Sequence, residues 1–131
     1  MTQILLVEDH TLFAGVLVQA LEQRADLSVV MVVNTAEQAL EVIPDLKLDL
    51  ILADISLPKM SGIDLVGRLN QLYPDLPCLM ISGHKSSLYL RRSLEAGARG
   101  YAIKDNAKGI IEGIYEVMRG EIYICKEMRT L

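Results

Sequence analysis

At residues 50–54 the sequence reads Leu50-Ile51-Leu52-Ala53-Asp54, four apolar residues followed by a carboxylate. A short continuous apolar run is typical of a strand that is buried on both faces, because a strand with one solvated face alternates apolar and polar residues. A turn region with Pro58 and Gly62 comes next, and apolar residues then recur at helical spacing as far as Leu72. This stretch therefore predicts a strand, a loop that begins at Asp54, and a helix.

The same alternation of strand and helix repeats along the chain. Four further apolar runs, each followed by helical spacing, lie at residues 4–7, 29–33, 77–81 and 100–103. Because these runs are continuous, we expect parallel strands that right-handed crossovers join and that helices cover on both sides. The predicted fold class is α/β, with a doubly wound, five-stranded parallel sheet and helices on both faces.

The spacing also predicts which helix faces pack on the sheet and where helices end. The fourth helix is expected to end at Gly97, since glycine commonly terminates helices. The first helix is expected to pack through an apolar stripe of Leu12, Val16, Ala20 and Leu21.

Length and composition limit what the chain can be. With 131 residues, 51% of them hydrophobic, it can bury one substantial core but not two ordinary domains. The sequence has no Pro- or Ser-rich linker, repeat or low-complexity segment before about Gly120. The apolar runs are far shorter than the roughly 20 residues needed to cross a bilayer. Cys78 and Cys125 suggest neither a disulfide framework nor a zinc site. We therefore expect one soluble, cytoplasmic domain without membrane contact.

The charge balance bears on nucleic-acid binding. The net charge of -4 gives the chain no overall electrostatic attraction for nucleic acid, which basic faces usually provide. Any contact with DNA would therefore have to come from elsewhere.

Polar residues stand where the predicted strands end. Glu8 and Asp9 follow the first strand and Asp54 ends the third, while Ser82 ends the fourth and Lys104 the fifth. In parallel α/β sheets, ligands bind outside the carboxyl ends of the strands, so we expect these residues to converge on one rim. Taken singly, each has an ordinary explanation as a turn or solvated residue. Their joint placement favours a functional site.

Three clustered acids favour a bound cation, because they repel one another without it. Hard carboxylate oxygens suit Mg²⁺, which binds one or two carboxylates together with water and phosphate oxygens. A carboxylate can also attack phosphorus to give an aspartyl phosphate, while a metal ion and a fixed cation neutralise charge on the transferring group. Asp54 is the candidate acceptor, Lys104 the fixed cation, and the Ser82 hydroxyl a hydrogen-bond donor to phosphoryl oxygens.

Four motifs together resemble a known family. They are Leu6-Val7-Glu8-Asp9-His10, Leu52-Ala53-Asp54-Ile55-Ser56-Leu57-Pro58-Lys59-Met60-Ser61-Gly62, Ile81-Ser82-Gly83 and Ala96-Gly97-Ala98-Arg99-Gly100-Tyr101-Ala102-Ile103-Lys104. Over essentially its whole length, the chain resembles the receiver domain of two-component response regulators. The resemblance implies a flavodoxin-like fold with strand order 2-1-3-4-5.

For the site, the resemblance implies a role for each matching residue. Asp54 would accept a phosphoryl group from a sensor histidine kinase, and Lys104 would contact that group. Asp9, Asp54 and the carbonyl of Ser56 would hold Mg²⁺, with Glu8 assisting through water.

The resemblance also implies how the phosphoryl group acts and how it is lost. Ser82 would move toward the phosphoryl oxygens and Tyr101 would pack inward, which would change the face of the fourth helix, fifth strand and fifth helix. Ser56 and His84 would flank the path of the attacking water. We expect these two residues to tune hydrolysis without being essential.

A narrower likeness concerns the region beyond the receiver. Glu-Asp-His-Thr at residues 8–11, and Asp105 directly after Lys104, are similar to the subfamily that carries a C-terminal helix-turn-helix domain of the LuxR/NarL type. By that likeness, residues 1–119 are the receiver domain and residues 120–131 begin a linker toward an output domain absent from this chain. We expect a homodimer on phosphorylation, DNA binding only through the output domain, and no enzymatic role beyond the chain's own phosphorylation and dephosphorylation.

Other functions are compatible with parts of the pattern. A magnesium-dependent phosphohydrolase of the haloacid dehalogenase type carries a second Asp two positions after its nucleophile, where this chain has Ser56. A flavin- or dinucleotide-binding module would need a glycine fingerprint in place of residues 8–11. Two alternatives stay open: a stand-alone receiver that acts through protein contacts, and a receiver-like protein that is never phosphorylated.

Overall fold

The computed structural model describes residues 1–129, which form one parallel sheet covered by helices. The strands are β1 (Thr2–Val7), β2 (Leu27–Val33), β3 (Leu50–Asp54), β4 (Cys78–Ser82), β5 (Gly100–Ile103) and β6 (Tyr123–Ile124). Their order is β2-β1-β3-β4-β5-β6, and every neighbouring pair is parallel. The predicted α/β class and the order 2-1-3-4-5 are confirmed, but the prediction of five strands is wrong by one.

Five α-helices alternate with the strands. They are α1 (Thr11–Glu22), α2 (Ala36–Val42), α3 (Gly62–Leu72), α4 (Ser87–Ala96) and α5 (Ala107–Met118). Side chains cap most of their N-termini; Ser61, for example, accepts a hydrogen bond from the N–H of Asp64 at 3.1 Å. Gly97 ends α4 at a φ of 113°, a left-handed conformation that favours glycine, as predicted. None of the helices in residues 1–129 is long and apolar enough to span a bilayer.

The strand that the sequence did not predict lies at the β5 edge of the sheet. The backbone N–H of Tyr123 donates to the carbonyl of Arg99 at 2.9 Å, and that of Cys125 donates to the carbonyl of Tyr101 at 3.1 Å. Two residues are too few to show a strand period, so only the tertiary pairing reveals β6. The ring of Tyr123 is 3% exposed because Gly113 of α5 leaves room for it: a Cβ there would lie 2.8 Å from the ring.

Two further expectations about packing are corrected. Leu12 and Val16 are 77% and 61% exposed, and α1 packs through Ala14, Leu17 and Leu21 instead. The expectation that all strands are covered on both faces fails at β2, where three consecutive apolar side chains are exposed: Val30, Met31 and Val32. β2 has a neighbour on only one side, so it is an edge strand despite its apolar sequence.

The buried ring of Tyr123 leads to a pH prediction. Burial raises the pKa of Tyr123 from 10.0 to about 12, so the folded chain holds the phenolic proton more tightly than the unfolded chain does. This contribution to the free energy of unfolding is complete below about pH 10 and is lost as the pH rises from about 10 to about 12. Urea unfolding across that range should show Tyr123→Phe to be less alkali-sensitive than the unmodified chain. The half-buried Tyr73, changed to Phe, is the control; equal alkali sensitivity in both variants would contradict the prediction.

Candidate functional site

The carboxyl ends of the strands bring the predicted site residues together. Glu8 and Asp9 follow β1, Asp54 is the last residue of β3, and Lys104 follows β5. Glu8, Asp9 and Asp54 each offer a carboxylate oxygen, and these atoms lie within 4.8 Å of one another. Glu8 and Asp54 are buried, whereas Asp9 is exposed at the mouth of the site. The structure thus places in one cluster the acids that the sequence predicted to converge.

Lys104 binds two of these acids at once. Its Nζ lies 2.7 Å from Oε1 of Glu8 and 3.0 Å from Oδ2 of Asp54, and its side chain is 20% exposed. Burial raises the pKa of Glu8 to about 7, against the lowering effect of its hydrogen bond to Lys104. Burial alone would lower the pKa of Lys104, but its hydrogen bonds to Glu8 and Asp54 outweigh burial and raise that pKa. The ammonium is therefore held charged between the two carboxylates.

The backbone around Asp54 orients its carboxylate. The N–H of Ser56 donates to Oδ1 of Asp54 at 3.1 Å, while Lys104 binds Oδ2. Each oxygen of Asp54 thus has its own donor, and the carboxylate plane is set from both sides. The first residue of α3, Gly62, lies against the end of β3: a Cβ there would be 2.0 Å from the carbonyl oxygen of Asp54. The sequence suggested Gly62 only as a turn residue.

The predicted switch residues, Ser82 and Tyr101, are joined through the backbone of His84. The N–H of His84 donates to Oγ of Ser82 at 3.0 Å, and the Tyr101 hydroxyl donates to the carbonyl of His84 at 2.8 Å. Tyr101 is fully buried, so the inward position expected on phosphorylation is the one that this structure has. The hydroxyl of Ser82 is bonded within the β4–α4 loop, with no hydrogen bond to Asp54 among the described residues. The change on phosphorylation stays a prediction.

One residue at the site was missed by the sequence analysis. Phe13, in the first turn of α1, lies with its ring centroid 4.7 Å from Nζ of Lys104. The ring is half-buried and packs against the core. No motif marks this position; the only signal is an aromatic residue one helical turn after the acidic pair Glu8-Asp9.

The donor set fits a hard divalent cation. The three clustered acids offer only oxygen atoms, and the N–H group that orients Asp54 belongs to Ser56, the residue whose carbonyl was predicted as a ligand. Mg²⁺ prefers such all-oxygen surroundings and keeps several waters, for which the exposed carboxylate of Asp9 leaves access. Within residues 1–129 no His or Cys joins the cluster, which disfavours zinc.

Comparison with known proteins agrees with this geometry. The sequence pattern of the family described as "Response regulator receiver domain" matches residues 4–115. The chain belongs to this family. As a receiver domain it is similar to "Transcriptional regulatory protein DegU" of Brevibacillus brevis, with 34% identity over 123 residues that cover 93% of this chain and 52% of that protein. The chain spans about half the length of the curated relatives it matches.

Solved structures give the same result. The receiver domain superposes on a LuxR family DNA-binding response regulator from Silicibacter pomeroyi with a TM-score of 0.83 and 29% identity, covering 96% of this chain and 98% of that one. A two-component response regulator of the LuxR family from Aurantimonas sp. SI85-9A1 gives a TM-score of 0.95 over 99% of this chain and 94% of that one. Its identity of 23% shows the fold alone. The predicted family and its LuxR/NarL subfamily are confirmed.

Proposed function

We propose that this receiver domain is a phosphorylation-dependent switch in which Asp54 takes a phosphoryl group from a sensor histidine kinase with the help of Mg²⁺. One observation carries the proposal: a buried aspartate ends β3 among two further acids, and its carboxylate is bound by the ammonium of Lys104 at 3.0 Å. A carboxylate nucleophile beside a cation site and a fixed positive charge is the equipment that phosphoryl transfer needs.

The transfer follows from these positions. An oxygen of Asp54 attacks phosphorus, the bond from phosphorus to the kinase imidazole breaks, and the imidazole keeps the electron pair and takes up a proton. Asp9, Asp54 and the carbonyl of Ser56 would hold Mg²⁺, with Glu8 assisting through water, and the ion would supply charge neutralisation. Lys104 leaves the Asp54 oxygen for a phosphoryl oxygen and stays close to Glu8.

The conformational response passes through the loop after β4. A phosphoryl oxygen beside Asp54 attracts the hydroxyl of Ser82, which must then give up its bonds to the backbone of His84. Because Tyr101 binds the carbonyl of that same residue, the loop and α4 respond together with β5 and α5. Phosphorylation therefore stabilises one arrangement of this face. The side chains of His84 and Ser56 tune how fast water removes the phosphoryl group.

The output is proposed to be transcription regulation through a DNA-binding domain outside this chain. The relatives named above, one a transcriptional regulatory protein and one a DNA-binding response regulator, support this assignment. Residues 1–119 would act as the receiver and 120–131 as the start of the linker, of which residues 130 and 131 lie outside the described part. Phosphorylation would favour a homodimer that places two output domains on paired half-sites. The domain would act in the cytoplasm and catalyse only its own phosphorylation and dephosphorylation.

The direct test is phosphorylation by a small donor. Incubation with Mg²⁺ and acetyl phosphate should add one phosphoryl group, measured as the intact mass of the chain, and chelation of the metal should prevent the addition. Asp54→Asn should remain unmodified, whereas the control Asp64→Asn, an exposed acid at the start of α3, should be modified as fully as the unchanged chain. Modification of Asp54→Asn to the same extent would refute the assignment.

A further inference from the structure

We propose that Phe13 is a positioning residue that holds the ammonium of Lys104 at the phosphorylation site through the face of its ring. The proposal rests on the function assigned above, in which Lys104 binds the transferred phosphoryl group. Lys104 has carboxylates at 2.7 and 3.0 Å, from Glu8 and Asp54, and an aromatic ring at 4.7 Å to the centroid. The ring of Phe13 thus supplements the two acids in fixing this cation.

The fold gives Phe13 this position through α1. Leu17 and Leu21 follow it at successive helical turns and are buried against the sheet, so Phe13 begins the packed stripe of the helix. It lies in the first turn, next to the acidic pair that ends β1, where the stripe reaches the rim of the sheet. Its ring is therefore half-buried and held by core contacts on one side, with Lys104 beside it.

A ring suits this task better than a third carboxylate would. The quadrupole of an aromatic face attracts an ammonium without taking a specific hydrogen bond, so the N–H groups of Lys104 stay available to oxygen acceptors. The ring also carries no net charge, so it does not repel an incoming phosphoryl group as a further acid would. Lys104 can therefore pass from the oxygen of Asp54 to a phosphoryl oxygen while it keeps contact with the ring.

The test compares side chains at position 13 by their phosphorylation rates with acetyl phosphate and Mg²⁺. Phe13→Leu keeps the apolar bulk and removes the ring face, so the rate should fall roughly fivefold. Phe13→Tyr restores a ring and should recover most of that rate. Mg²⁺ affinity, measured by calorimetry, should stay the same in both variants, because Phe13 contacts the lysine and not the carboxylates. Val18→Ala, a half-buried change elsewhere on α1, should lower stability but not the rate.

A second comparison separates positioning from a general packing effect. In a Lys104→Met background, Phe13→Leu should bring no further loss of rate, because the cation that the ring holds is gone. A Phe13→Leu rate equal to that of the unchanged chain, a loss that Phe13→Tyr does not recover, or the same fivefold loss in the Lys104→Met background would each overturn the proposal.

The outcomes also distinguish this proposal from the function on which it rests. The coupling between Phe13 and Lys104 can be measured without phosphorylation, as the non-additivity of their substitutions in urea unfolding. If the unchanged chain takes up no phosphoryl group on Asp54, the proposed function fails and the positioning role fails with it, whatever the coupling. If Asp54 is phosphorylated normally but the two substitutions are additive in stability and rate, only the role of Phe13 is overturned.

Discussion

Replacing Gly62 with alanine is expected to lower the free energy of unfolding by about 3 kcal/mol and to disable phosphorylation of Asp54. A Cβ at this position would lie 2.0 Å from the carbonyl oxygen of Asp54 and 2.8 Å from its carbonyl carbon. These are backbone atoms at the end of a central strand, so they cannot rotate away as a flexible side chain could. Relief of the clash requires α3 to shift away from β3 or the backbone of Asp54 to move out of line.

Gly67 of the same helix provides the matched control for Gly62. A Cβ there would meet no atom within 4 Å, and alanine is the better helix former by about 1 kcal/mol. Gly67→Ala should therefore stabilise the chain slightly and leave phosphorylation intact. Urea unfolding, followed by circular dichroism, gives both free energies. If Gly62→Ala proved as stable as Gly67→Ala, the close approach of α3 to Asp54 would be refuted.

Lys104→Met is expected to lower the free energy of unfolding by about 2 kcal/mol at neutral pH when no divalent cation is present. The substitution keeps an unbranched side chain but removes the cation between Glu8 and Asp54, both of which are buried. Breaking a fully buried pair costs roughly 3 to 5 kcal/mol, and the partial exposure of Lys104 reduces that figure. Two buried carboxylates would then face each other without a neutralising partner.

Magnesium should restore part of the stability that Lys104→Met loses. A ligand that binds the folded chain alone stabilises it, and a divalent cation among Glu8, Asp9 and Asp54 would replace the missing positive charge. The rise in unfolding free energy with added Mg²⁺ should therefore be at least as large in Lys104→Met as in the unchanged chain. Lys108→Met, a substitution of an exposed lysine on α5, should change neither quantity measurably.

A double substitution tests the cause of this effect. Asp54→Asn removes one of the two facing charges, so the pair Lys104→Met and Asp54→Asn should be more stable than Lys104→Met alone. If the double variant were less stable by the sum of the two single effects, repulsion between the carboxylates would not be the reason for the loss.

The sequence by itself determined the alternation of elements and the location of the site. Strand and helix periods are local, so the apolar runs and the helical spacing between them can be read without tertiary contacts. Parallel strands joined by right-handed crossovers place their carboxyl ends on one rim, and therefore Glu8, Asp54 and Lys104 could be predicted to meet. The family motifs around these residues added the role of each one.

The tertiary structure alone decided the contacts that depend on how the elements are rotated and placed. Helical spacing allows neighbouring faces of α1 to compete for the sheet, and the packed one exposes Leu12 and brings Phe13 to Lys104. The closeness of Gly62 to the backbone of Asp54 and the pairing of β6 with β5 likewise join atoms distant along the chain. Such contacts depend on packing in three dimensions, which the local period of a sequence does not encode.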